Sequence, residues 1–368
     1  MYFIIRLRTF GVSASLAAAM LAACSGGGSS SFGPSGVAPS GDQTGLTMLA
    51  NIRDAALTMP HFVQPNVNTD HGQSFMRPDK KKGALLYVGD WSTNDVYVYD
   101  YPSGKSVGTL TGFDVPDGMC IDQTGDVFIT NFGADDAVEY EHGGTSPVNT
   151  YSGGGEPIGC AVSAQGDVAI TSLLPGEVIV YAGGDPSKGT AYSDLSCEYQ
   201  WTMGYDAAGD LVGVGAHYVS GSDYVCALLA GSKSETTLTT SGITIHFPGG
   251  TTWDGKYIAL GDQEAGGNHQ VGVWPSTISG TTITAATTTE VTFGDINCDG
   301  SEDANPFFVG KTNVTPNSKK QAKSMVGGNL TCDPPAVDVW KYPGGGNPIK
   351  AIPLSIQPYG AAVSIAPH

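Results

Sequence analysis

Basic residues are scarce in this chain of 368 residues: 17 Lys and Arg stand against 35 Asp and Glu, for a formal net charge of -18. A chain this acidic gains nothing by releasing the counterions of a polyphosphate, which excludes nucleic acid as a partner. Amphipathic helical runs are hard to find beyond the segment "LTMLANIRDAALTM" that starts at Leu46. Also missing are a G-x-S-x-G elbow, an H-E-x-x-H pair and a phosphate-binding loop, so no ready-made nucleophile, zinc-protease or nucleotide chemistry is present. What the chain does have is Gly 52 and Pro 22 with a strong excess of Ser and Thr, a composition that favours many short strands joined by turns.

The first residues, "MYFIIRLRTFGVSASLAAAMLAACSGGG", carry Arg6 and Arg8 and then an apolar run that ends at small residues. That run is too short for a membrane span and reads as a secretory signal. Its end, Leu21-Ala22-Ala23-Cys24, resembles the lipobox of bacterial lipoproteins. The resemblance implies removal of residues 1–23, a diacylglycerol on Cys24 and, because Ser25 rather than Asp follows, the outer rather than the inner membrane. Residues 24–42 are Gly, Ser and Pro with hardly a large apolar side chain, and act as a tether. Residues 43–82 form an N-terminal extension whose Lys80, Lys81 and Lys82 read as a solvated loop.

Residues 83–368 are dominated by repetition. "GALLYVGDW", "GDVFITNF", "GDVAITSL", "GDLVGVGA", "GKYIALGD" and "KSMVGGNL" present one strand six times, each followed by a second alternating run such as "DVYVYDY" or "EVIVYAG". Equivalent positions fall at Val127, Val168, Leu211 and Tyr257, the four-strand period of roughly 40–45 residues expected of a propeller blade. The expected fold is all-β, a six-bladed β-propeller. Its ring closes when the orphan "PYGAAVS" at Pro358–Ser364 joins the first blade, since an open ring would expose strand edges. Two columns of short polar residues read as turn acceptors: Asp90, Asn131, Ser172, Asp262 and Asn329 after the second strand, with Ala216 in the same place, and Asp122, Ser163, Asp206, Asp254 and Ser364 after the first.

The unit P-x-G-φ-x-φ-D-x-x-G-D-φ-φ-φ resembles NHL-type repeats and the related regucalcin/gluconolactonase propellers. On that resemblance, Asp117 of "VPDGMCID" corresponds to an aspartate that binds a divalent metal and serves as base in lactone hydrolysis. The family completes its metal site with glutamate and two asparagines from equivalent first strands. Here the column reads Tyr359, Asp117, Ile158, Trp201, Gly249 and Asn305, of which only Asp117 and Asn305 could coordinate. Ile158, Trp201 and Tyr359 at the channel mouth suit an apolar contact better than hydrolysis, so the chain is expected not to be an enzyme.

Other clusters carry narrower expectations. "DINCDGSED" places Asp295, Asn297, Asp299, Gly300 and Asp303 at calcium-loop spacing, although Pro306 stands where the final glutamate belongs. It reads as a Ca2+ loop or an acidic turn, and Ca2+ is the only cofactor these residues suggest. His217, His246 and His269 fall on one face and read as a zinc or base cluster, or as separate surface histidines. Setting Cys24 aside leaves six cysteines in an oxidising compartment. Cys298 with Cys332 and Cys197 with Cys226 are candidate disulfides, while Cys120 and Cys160 either meet between blades or stay buried thiols. The resulting expectation is a monomeric, lipid-anchored, extracytoplasmic binding module for an unknown protein or small molecule, using a face with Trp201, Tyr359 and the histidines. A metal-dependent lactonase-like hydrolase built on Asp117 and a cell-envelope scaffold are the alternatives.

Overall fold

The computed structural model describes residues 72–367 apart from 81, 174–175, 195, 198, 218–222, 266–269, 295–306, 330–333 and 357. All of these residues belong to the unit Asp42–His368. Cys24 with the expected signal and tether, the calcium-loop residues Asp295, Asn297, Asp299 and Asp303, the pair Cys298 and Cys332, and Asn305 and His269 lie outside the described residues.

Twenty-six strands account for the architecture, with no α-helix among the described residues. In chain order they begin with β1 (Phe75–Met76), β2 (Ala84–Asp90), β3 (Asp95–Asp100) and β4 (Lys105–Leu110). There follow β5 (Pro116–Ile121), β6 (Val127–Asn131), β7 (Asp136–Tyr140) and β8 (Asn149–Ser152), then β9 (Pro157–Val162), β10 (Val168–Ser172), β11 (Glu177–Tyr181) and β12 (Gly189–Ser193). Next come β13 (Tyr199–Tyr205), β14 (Leu211–Ala216), β15 (Asp223–Leu228) and β16 (Thr236–Ser241), and β17 (Pro248–Trp253), β18 (Ile258–Ala265), β19 (Gln270–Ser279), β20 (Thr282–Ala285) and β21 (Val291–Phe293). The last are β22 (Phe307–Val309), β23 (Ser324–Asn329), β24 (Ala336–Lys341), β25 (Lys350–Pro353) and β26 (Pro358–Ile365).

These strands form five hydrogen-bonded sheets. Four are separate antiparallel meanders, and the fifth contains nine strands. Here the structure departs from the uniform four-stranded units expected from the repeats. β20 and β21 share the outer edge of β19, and β20 also runs parallel to β16 across Thr239–Ser241, welding two meanders together. The residues responsible are those inserted between the fifth and sixth repeats, which no periodicity could place. A second departure concerns the N-terminal extension: Phe75 and Met76 pair with Thr109 and Gly108 of β4, adding an outer strand to the first sheet.

Second strands such as "VFITN" and "VAITS" are buried along their whole length because their sheets are covered on both faces by neighbouring sheets. The fourth strands "TTLTTS" and "GTAYS" expose most of their side chains to solvent, and of the two only "GTAYS" is a sheet edge. The apolar core therefore lies between sheets. Leu86 and Val98 pack in one cluster with Val127 and Ile129 on one side and Val326 and Val337 on the other.

The innermost strands pack side by side in the order β26, β5, β9, β13, β17, β22 and back to β26. Such close approach requires glycine. A Cβ at Gly118 would collide with the carbonyl of Ile158, and one at Gly360 with the carbonyl of Asp117. This accounts physically for the P-x-G of the repeat. Cys120 and Cys160 are disulfide-bonded, tying β5 to β9, so of the two readings left open for them the bridge between units is the one realised. A second disulfide joins Cys197, just before β13, to Cys226 of β15.

Candidate functional site

Five of the inner strands break register with their neighbour at the same place: β26 against β2, β5 against β6, β9 against β10, β13 against β14 and β17 against β18. The residues left without a register partner are Tyr359–Gly360, Asp117–Gly118, Ile158, Trp201–Thr202 and Gly249–Gly250. A β-bulge of this kind re-aims a side chain out of the sheet's alternation, and a bulge repeated around an axis builds one end of it from successive sheets. The sequence column is thus a ring of bulges.

Aromatic rings gather at this end. Trp91, the first residue beyond β2, stacks on Tyr359 with ring centroids 3.5 Å apart and planes 10° apart. Phe132, the first residue beyond β6, lies 6.3 Å from Trp91. Phe247, just before β17, meets Trp201 edge-on at 6.1 Å. All five rings are only partly buried. Sequence reasoning found Trp201 and Tyr359 but missed Trp91, Phe132 and Phe247. The signal was available, since Trp91 and Phe132 directly follow Asp90 and Asn131 of the turn column and Phe247 lies two residues before Gly249 of the first-strand column. The indole Nε1 of Trp91 is shut off from solvent and has no hydrogen-bond partner.

Asp117 and Ile158 are each only 6 % exposed. The axis beneath them holds a cavity of about 70 Å³, lined by Gly118, Gly159, Met203, Thr251 and Ala361 among others and by no carboxylate or histidine. At its far end the segment between β22 and β23 forms a floor. Asn313 exchanges hydrogen bonds with Ile365, Asn317 Nδ2 donates to Gln123 Oε1 and to the Ala164 carbonyl, and Gln321 Nε2 donates to Asp254. One short segment thereby touches the ends of β26, β5, β9 and β17. Among the described residues Asp117 belongs to no group of three metal-ligating side chains.

The turn columns are structural where they are described. Asp122 Oδ1 accepts the N–H groups of Thr124, Gly125 and Asp126, Asp254 Oδ1 those of Lys256 and Tyr257, and Asn131 Oδ1 that of Asp114. Asp262 does the same and more. Its oxygens accept the N–H groups of His246, Phe247 and Glu264, and Oδ2 lies 2.9 Å from His246 Nδ1. Glu290, between β20 and β21, brings a carboxylate to the same place, so that one ligand atom from each of His246, Asp262 and Glu290 lies within 4.8 Å of the others. Nearby Asp223 has its carboxyl pushed up to about 7, first by burial and then by the charge of Asp262, with His246 opposing. His217 packs its ring against Tyr224 at 4.9 Å, whereas His246 pairs with Asp262, and among the described residues the two histidines share no group of three metal-competent side chains.

No family model and no curated protein matches the sequence. Solved structures do. A chain of the nidogen/laminin complex superimposes with a TM-score of 0.56 at 12 % identity, over 78 % of this chain and 100 % of that one. The chain folds as a β-propeller. Hydrazine synthase from Kuenenia stuttgartiensis is also similar, with a TM-score of 0.48 at 13 % identity, over 75 % of this chain and 80 % of that one. In propeller terms, the bulges and aromatic rings occupy one end of the central axis and the 311–322 floor the other.

Proposed function

We propose that this propeller is a binding module that takes its partner at the aromatic mouth. The observation that carries the reading is the set of partly exposed rings of Trp91, Phe132, Trp201, Phe247 and Tyr359 at the end of the axis opposite the floor. Rigid aromatic side chains bury large area at small entropic cost, which is why they anchor recognition sites. The similar chain from the nidogen/laminin complex comes from an assembly of two proteins, and a protein or small-molecule partner is the corresponding expectation here. We read the six inner strands as six blades of the NHL and gluconolactonase-like kind, the fourth and fifth fused through β16 and β20. The lipobox-like Leu21–Cys24 supports lipid anchoring to the outer membrane and action outside the cytoplasm, and we take the propeller to act there as a monomer.

Immobilised wild-type protein incubated with detergent-solubilised cell envelope is expected to retain a discrete partner, and Trp201→Ala is expected to lose it at least ten-fold while melting at the same temperature. Equal retention by both proteins would overturn the reading. Asp117→Asn separates the hydrolase alternative: it is expected to leave retention unchanged and to alter no aldonolactone turnover. Turnover present in wild type and absent in that variant would establish the hydrolase instead. Labelling with a clickable palmitate analogue is expected to mark wild type and not Cys24→Ala.

A further inference from the structure

We propose that His246, Asp262 and Glu290 hold one divalent transition-metal ion, of the zinc class, where the connection between β20 and β21 returns over β18. The three ligand atoms lie within 4.8 Å of one another. A tetrahedral zinc with bonds of about 2.0–2.2 Å separates its ligands by about 3.4 Å, so small side-chain rotations close the shell, with water completing it. His246 Nδ1 and Asp262 Oδ2, 2.9 Å apart, already share a proton that the ion would replace. One imidazole with carboxylates selects zinc and its neighbours over calcium, whose ligands are oxygens throughout.

Two observations independent of that spacing point the same way. Gly272 of β19, the register partner of Asp262, has no side chain where Glu290 lies: a Cβ there would run into Glu290 Oε1 and Ala265. The missing Cβ is the cradle that admits this carboxylate. Asp223 places a further carboxyl within electrostatic reach of Asp262 and His246, and its Oδ1 is shut off from solvent with no hydrogen-bond partner. Asp262 is fully buried and its ion pair is with His246, which is charged only when protonated, so a cation held at this place would offset the carboxylate in either protonation state of the imidazole. Solvent reaches the site, because the His246 side chain is 39 % exposed while Asp262 is fully buried.

The test uses tag-free protein stripped with EDTA and titrated with Zn2+ by calorimetry and with Co2+ by visible absorption. Expected are one equivalent of Zn2+ bound with micromolar or tighter affinity, Co2+ bands characteristic of a nitrogen-containing site, and a rise in melting temperature at saturation. His246→Ala and Glu290→Gln are each expected to weaken binding ten-fold or more, and Asp117→Asn to leave it unchanged. Asp262 is avoided because it also accepts three backbone N–H groups. His246→Ala removes an exposed ring and is expected to fold, so it decides the matter even if Glu290→Gln does not. Absence of saturable binding up to millimolar Zn2+, or binding that survives both substitutions, would overturn the proposal.

Discussion

Deletion of residues 357–368 is expected to yield a chain with no cooperative melting transition. β26 pairs with β2 from Ala84 to Asp90, and both neighbours of this contact are core: Leu85, Leu86, Tyr87 and Val88 are fully buried, as is Ala362. Removing β26 leaves one edge of β2 unpaired in an apolar setting, where each orphaned backbone group costs about 1–3 kcal/mol. It also removes Ile365 from its bonds with Asn313 and so loosens the floor. Several such losses exceed the roughly 5–15 kcal/mol that holds an ordinary domain together. A truncated protein that melts within a few degrees of the intact one, measured by circular dichroism, would show that the ring is not closed by this strand.

Glu235→Gln is expected to stabilise the protein at pH 8 and to flatten its stability between about pH 5 and 7. Glu235 is 2 % exposed, and burial pushes its carboxyl up to about 7 despite two hydrogen bonds from Gln200 Nε2 at 2.7 Å. The folded chain therefore keeps a proton that the unfolded chain releases near its ordinary value of 4.5. Stability from this group is full below that value, falls by about 1.4 kcal/mol per pH unit as pH rises toward 7, and is level above it, for a total of about 3 kcal/mol. Gln200 Oε1 is buried and accepts no hydrogen bond. A protonated carboxyl or a glutamine amide could donate to it, whereas a carboxylate cannot. Asp223, also raised to about 7, contributes a slope of the same sign that the substitution leaves in place. Chemical denaturation at pH 5, 7 and 8 measures the difference, and an unchanged pH dependence in Glu235→Gln would show that Glu235 is ionised throughout.

Much of this fold was legible because its physics is local and repeated. Second strands buried on both faces read as apolar runs, glycine marks where inner strands nearly touch, and aspartate marks turns that need an acceptor. The residue column Tyr359, Asp117, Ile158, Trp201 and Gly249 was legible for the same reason, but its bulge was not, since a bulge is a relation between two strands. The metal-competent trio was hidden more deeply. Asp262 reads as one more turn acceptor, Glu290 sits in an insertion without period, and only the bare face of Gly272 brings them together. The weld between β16 and β20 likewise depends on Thr and Ser side chains that announce an exposed edge and say nothing about what will lie along it.

The floor built from residues 311–322 has a consequence for traffic through the axis. A ring of sheets is ordinarily a tube, but here Asn313, Asn317 and Gln321 lace the ends of four inner strands together across one opening. The axis is therefore braced at this end, and no passage through it runs past the 311–322 segment without breaking those hydrogen bonds. The same lacing acts as a cross-brace, so that moving any one of β26, β5, β9 and β17 outward strains the segment that holds the other three.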